Sequence, residues 1–229
     1  MPDNVYLVFS KPPEEISLAA FGEWYEQHVR DILTVEGFSA ARRFGFEAVN
    51  GDTSPTMYSH LSLYVIEGDP HAAMERLKAA SDAGAVTMPQ WFHSGRWASF
   101  YGHPLEGSID LDRLDHAYIV FSRQPPQMPL EEFIDWYATH ARENCTATGF
   151  DDVWRYRLER DTVDPLDPNE SVHAAIYEVH GELPELRAAL KEAAAAGRVG
   201  FPEWFGEILF ASLDAHAASP TIAGVGAQR

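Results

Sequence analysis

Phe21-Gly22-Glu23-Trp24-Tyr25-Glu26-Gln27-His28 is echoed 112 residues later by Phe133-Ile134-Asp135-Trp136-Tyr137-Ala138-Thr139-His140. In both stretches Phe, Trp, Tyr and His fall at i, i+3, i+4 and i+7, the spacing of one broad helical face. The same offset lays Val5-Tyr6-Leu7-Val8-Phe9-Ser10 over Ala117-Tyr118-Ile119-Val120-Phe121-Ser122, Gly37-Phe38 over Gly149-Phe150, and Arg43 over Arg155. After a slip of one residue the correspondence resumes at 113. There His60 meets His173, Tyr64 meets Tyr177, and Pro89-Gln90-Trp91-Phe92 meets Pro202-Glu203-Trp204-Phe205. Matches of this kind at nearly one offset point to a tandem duplication, which has to be recognised before any fold is assigned.

Each copy reads β-α-β-β-α-β. Residues 5–10 and 117–122 are short runs rich in Val, Tyr and Phe, followed by Pro, as strands are. Residues 18–33 and 130–144 are the first helices, with Gly37 and Gly149 as stops just beyond them. Residues 38–47 and 57–67 form a strand pair across the turn-rich Asn50-Gly51-Asp52; 150–159 and 171–180 form its counterpart across an Asp/Pro/Asn loop. Ala- and Leu-rich second helices cover 70–83 and 183–196, and last strands cover 95–101 and 206–213. The chain divides accordingly into a module at 1–101, a linker at 102–115, a second module at 116–213 and a tail at 214–229 that is expected to fray. This order is ferredoxin-like, a four-stranded antiparallel sheet with both helices on one face. No position of Tyr6-Leu7-Val8-Phe9 is fit for solvent. The uncovered face of each sheet is therefore expected to be buried by the other module, sheet to sheet, as an α+β pseudo-two-fold unit.

Trp-Tyr-x-x-His followed by Gly-Phe and an Arg-bearing strand resembles the dimeric α/β-barrel superfamily, and within it the EthD-like branch. The resemblance covers nearly the whole chain, twice, so that the chain looks like a fused pair of the single modules that elsewhere associate as dimers. It implies the fold, and a cavity between the sheet and the first helix. It leaves the reaction wide, since the superfamily includes cofactor-free monooxygenases, cyclases, lactone isomerases, lyases and haem-binding proteins.

Composition narrows the partners. Seventeen basic against 35 acidic residues give a formal charge of −18, which repels phosphate backbones and anionic lipid. Nucleic acid and membrane are therefore not expected as partners. Cys145 is the sole cysteine, which excludes an intrachain disulfide and leaves a small, semi-buried packing residue as its plain reading. No signal peptide is evident and no apolar run is long enough to span a membrane, so a cytoplasmic location is expected.

The candidate chemistry centres on His28 and His140, since imidazole titrates nearest neutral pH and suits general acid–base work. Asp31 and Glu143, three residues on, can face those imidazoles from the next turn. The competing reading is a packed core histidine with a solvated acid beside it. His60 and Tyr64, like His173 and Tyr177, share one face of a strand; facing the helix they would serve a site, facing the other sheet they would be packing. Tyr6 and Tyr118 stand in the same position. Arg43 and Arg155 are candidates to clamp a carboxylate or phenolate, with a structural ion pair as the alternative, and Trp24 and Trp136 are candidates to stack on a flat substrate. No metal is expected, because His28 and His60, which with Asp31 would make the set, sit on separate elements without compact ligand spacing. Nucleotide-binding loops are absent as well.

The two halves also differ. His93, Arg96, Trp97 and Tyr101 near the end of the first copy face Gly206, Leu209, Phe210 and Leu213 in the second, and Arg42 corresponds to Trp154, so only one half is expected to work. The expectation is a cofactor-independent enzyme of lyase, isomerase or decarboxylase type, with cofactor-free oxygenation behind it, acting on a hydrophobic, aromatic molecule. A haem protein with His28 or His140 as axial ligand and a non-catalytic binding module are the alternatives. Whether fused pairs associate further as a homodimer is not legible.

Overall fold

The computed structural model describes residues 3–50, 58–162 and 172–225. The Gly51-Asp52 turn, the Asp/Pro/Asn loop and the last four residues, all named above, lie outside them. The order is β1 (Asn4–Lys11), α1 (Leu18–Ile32), β2 (Phe38–Asn50), β3 (His60–Ile66), α2 (Pro70–Asp82) and β4 (Arg96–Glu106). It then repeats as β5 (His116–Arg123), α3 (Leu130–Asn144), β6 (Phe150–Thr162), β7 (His173–Val179), α4 (Leu183–Ala195) and β8 (Leu209–Ala217). The expected element types all appear, with strands β2, β4 and β6 running longer than expected and β8 displaced towards the C-terminus.

Within each half the strands pair in the order β4-β1-β3-β2 and β8-β5-β7-β6, all antiparallel. The two sheets form the barrel that the resemblance implies, though not by stacking as separate layers. They join edge to edge, β4 to β6 and β2 to β8, and close into one eight-stranded antiparallel barrel. The physical reason is at the edges: long outer strands would expose rows of unpaired N–H and C=O groups, and closure satisfies them. The stretch read as a linker is partly strand, since β4 continues through Glu106. Within the stretch expected to fray, Asp214–Ala217 complete β8, and Ile222–Ala223 add a short strand, β9, against Ala40 and Ala41.

Alternation then assigns every side chain. Val5, Leu7 and Phe9 point into the barrel with Ala117, Ile119 and Phe121, all fully buried. Phe9 meets Phe121 edge-on at 5.3 Å, and Trp154, Tyr156 and Phe100 fill the same interior. The lumen is thus a packed core. The opposite parity, Tyr6 and Val8 or Tyr118 and Val120, faces the helices. Helix α1 starts at Ser17, whose hydroxyl accepts from the Ala20 N–H, and buries Phe21, Tyr25, His28, Val29 and Ile32 on that face. Open space between helices and sheet, outside the barrel, is what remains for a ligand.

Candidate functional site

In the N-terminal half a cavity of about 290 Å³ opens between α1, α2 and the outer face of the sheet. Its walls are apolar (Val8, Ile32, Met74, Leu77, Val86, Met88), with Phe92 and Trp97 as aromatic sides. Tyr6, Tyr25, His28, Tyr64 and Ser99 add the polar groups. The Pro-x-Trp-Phe segment supplies one wall: Phe92 stacks on Trp97 at 4.4 Å and accepts the Trp97 indole N–H at its carbonyl, 2.9 Å away. Apolar walls with a few convergent polar groups are the usual make-up of a small-molecule site.

His28 is 6% exposed and lies flat on Trp24, ring centroids 4.8 Å apart. Its Nδ1 is buried and has no hydrogen-bond partner. Burial lowers its pKa to about 4, with the Asp31 charge pulling weakly the other way, so the imidazole is neutral at physiological pH. Buried polar atoms are nearly always paired, so this orphan calls for an explanation.

Three hydroxyls converge nearby on one carboxylate. Tyr6 donates to Asp161 at 2.7 Å, Ser99 at 3.1 Å and Tyr101 at 3.0 Å. Asp161 belongs to β6, in the other half of the chain, is exposed, and reaches Tyr6 and Ser99 behind the cavity lining because the barrel closes β6 onto β4. Ser99 pairs with Thr162 and Phe100 with Arg160, leaving Asp161 as the extra residue of a β-bulge. Bulges of this kind re-aim a side chain. Burial and the Asp161 charge push the Tyr6 hydroxyl well above its ordinary pKa, so Tyr6 keeps its proton and spends it on Asp161. Its oxygen lone pairs are then what it can offer a ligand.

In the C-terminal half the corresponding residues surround a smaller cavity of about 150 Å³. Tyr118, Val120, Tyr137, His140, Leu190, Val199, Phe205, Phe210 and Ser212 lie where Tyr6, Val8, Tyr25, His28, Leu77, Val86, Phe92, Trp97 and Ser99 stand in the first. Phe201 takes the place of Met88 and packs on His140 at 5.6 Å, as does Phe205. The second cavity also lacks the carboxylate. The bulged residue at the matching seam is Val49, which packs against the apolar cluster there. His140, like His28, is stacked on its tryptophan, is lowered in pKa by burial and has an unpaired Nδ1.

Several sequence-level candidates stand elsewhere. Asp31 accepts from Gln27 at 2.8 Å, and Glu143 accepts from the Gly200 N–H at 2.9 Å, so each acid has its hydrogen bond away from the imidazole it was expected to orient. Arg43 sits behind the cavity: it donates to the Gly22 carbonyl at 3.0 Å and lies over Tyr25 at 4.8 Å. Arg155 repeats this with the Ile134 carbonyl at 2.6 Å and Tyr137, and approaches Glu106 at 3.7 Å. Both fasten a strand to a helix and are not placed to clamp a ligand. His60 and His173 do face the helices, which settles the strand-face question, but beyond the cavities. His60 bonds Ser59 and packs on Phe21; His173 is fully buried beside Ser122 and Tyr137. Tyr64 lines the first cavity, whereas Tyr177 accepts from Asn144 at 3.1 Å behind the second. Trp24 and Trp136 back their histidines. Burial pushes the Cys145 thiol up to about 11, in keeping with packing. Ser99, Tyr101 and Asp161 are absent from the sequence-level set. Register pairs Tyr101 with Tyr6 and Asp214 with Tyr118, so the true counterpart of Tyr101 is Asp214, not Leu213.

No family model matches the sequence, and no curated protein matches it. Among solved structures the fold is similar to an anthrone oxidase-like protein, at TM-score 0.56 and 15% identity, covering 99% of this chain and 95% of the other. It is also similar to a protein of Fusobacterium nucleatum provisionally named a monooxygenase, at TM-score 0.51 and 12% identity, covering 98% and 97%. Both likenesses establish the barrel fold. Among the described residues no helix is long and apolar enough to cross a membrane.

Proposed function

We propose that the chain is a cofactor-independent enzyme that moves a proton on a hydrophobic, hydroxylated aromatic substrate held in the N-terminal cavity. The observation that carries this is that the roomier of two otherwise matching cavities is lined by a buried, neutral imidazole and by hydroxyls anchored on Asp161. His28 is the acid–base group: neutral at pH 7, it can take a proton from an acidic O–H or C–H of the substrate and return it elsewhere. Tyr6 presents an oxygen lone pair because its own proton is committed to Asp161, which favours a donor such as a phenol or enol. Asp161 acts through Tyr6 and Ser99 as a positioning residue.

A proton step of this kind serves isomerisation, elimination or decarboxylation. It also opens cofactor-free oxygenation, in which a carbanion meets dioxygen, and the names of the two structural neighbours lend that variant support. The correspondence of the two cavities supports reading the chain as a duplicated EthD-like module whose C-terminal site has been filled. Haem fits less well. A cavity of about 290 Å³ is at the small end of ligand sites and suits one or two fused rings. Lys78, the one Lys or Arg on its described lining, is tied to Asp82 at 2.7 Å and would have to leave it to meet a propionate.

Binding of 1-naphthol, followed by tryptophan fluorescence, tests the location. Met88→Phe copies the residue that fills the second cavity and is expected to weaken binding at least tenfold, while Phe201→Met leaves it within about twofold. Affinity indifferent to Met88→Phe but lost in Val199→Phe would move the site to the C-terminal half and sink the assignment.

A further inference from the structure

Outside both cavities, three metal-binding side chains meet on the seam between β5 and β8. His116 pairs directly across the ladder with His216, and Asp214 lies two residues before His216 on the same face. The two imidazoles stack at 4.1 Å, and the Asp214 carboxylate bridges them: His116 Nε2 stands 2.6 Å from Oδ1 and His216 Nε2 3.3 Å from Oδ2. All three ligand atoms lie within 4.8 Å of one another. Their side chains grade from 12% and 13% exposed for His116 and Asp214 to 62% for His216. The cluster is therefore anchored in the barrel wall on one side and open on the other. The open side borders a shallow groove lined by His60, Glu47 and Asp214, and Glu47 is the cross-strand partner of Asp214 on β2.

We propose that His116, Asp214 and His216 form a binding site for a first-row divalent transition ion of the Zn²⁺ or Fe²⁺ type. Two imidazoles and one carboxylate select such ions over Mg²⁺ or Ca²⁺, which prefer oxygen ligands throughout. Barrel strands hold His116 and Asp214, and the exposed His216 needs only a side-chain rotation to reach bonding distance of about 2.0–2.2 Å from a shared ion. The groove leaves coordination positions for water or for Glu47. The net charge of −18 raises the local concentration of cations. At the opposite seam His103 and Glu159 match His216 and Glu47, but Asn4 and Tyr101 replace His116 and Asp214, so the triad is particular to this seam. A second group, Asp151, Glu178 and His180, is a poorer candidate because Arg113 already holds Glu178 at 2.5 Å.

The test is a titration of the full chain with Co²⁺, read by its visible d–d absorption and by competition with Zn²⁺. One equivalent is expected to saturate the signal, with affinity falling at least tenfold in His116→Gln and in His216→Gln and unchanged in His28→Gln. Because His216 is exposed, its variant removes a ligand without disturbing the core. Binding that fails to saturate, that survives both ligand substitutions, that is lost in His28→Gln, or that an equal concentration of Mg²⁺ displaces would overturn the proposal.

Discussion

Changing His28 to Gln is expected to lower turnover of an accepted hydroxylated aromatic by about 10²- to 10³-fold while leaving its affinity within a few fold, the range lost when a general acid–base group is removed. Gln keeps the volume and a hydrogen-bonding end but cannot carry a proton between substrate atoms. The expectation rests on the place of His28 on the wall of the roomier cavity and the flat support of Trp24. His140→Gln, made in the filled half, should leave turnover within about threefold. Asp161→Asn is expected to act on kcat more than on KM, because it loosens the Tyr6 and Ser99 hydroxyls without touching the cavity walls. A panel of hydroxylated carbon acids, assayed with the three variants side by side, decides the matter. Equal losses in His28→Gln and His140→Gln would point to packing as the role of both.

Acid is expected to destabilise the fold through the same residue. The unfolded chain titrates His28 near 6.5 and the folded chain near 4, so the folded state resists protonation. Stability from this group is fully present above pH 6.5 and drains away as pH falls towards 4, where both states become protonated. The loss amounts to roughly 3 kcal/mol by pH 4. His140, His60 and His173 are lowered by burial as well and add losses of the same sign, His173 most of all because it is fully buried. Approach to the isoelectric point relieves charge repulsion and acts the other way, so the clean quantity is a difference. Denaturant unfolding at pH 7 and pH 4 should show a gap smaller by roughly 3 kcal/mol in His28→Gln than in the parent. The same gap in both proteins would mean that His28 titrates normally in the folded state.

The sequence carried the fold further than it carried the site. Trp-Tyr-x-x-His and its echo place His28 and His140 on the buried face of a first helix, because a period of 3.6 residues is written locally. The unbroken apolar run Tyr6-Leu7-Val8-Phe9 likewise announces a strand buried on both faces. Asp161 has no such local signature. It meets Tyr6 and Ser99 through barrel closure, which brings β6 beside β4, and through a one-residue bulge at that seam. Its one sequence trace is the contrast with Val49 at the 112-residue offset, a polar residue where the other copy has an apolar one. Arg43 and Arg155 mislead for a related reason. An arginine near a cavity looks like an anion clamp, but tertiary packing spends both guanidinium groups on helix carbonyls and tyrosine rings.

The central claim is that the N-terminal cavity, with His28 at its wall, is where the ligand sits. The most direct measurement is a ¹H–¹⁵N correlation spectrum of the histidine side chains, assigned with His28→Gln and His140→Gln, recorded as 1-naphthol is added. The His28 resonances are predicted to shift to saturation, while those of His140 stay in place. Saturating shifts at His140 with His28 unmoved would contradict the assignment of the working half, and binding that moves neither would place the ligand outside both cavities.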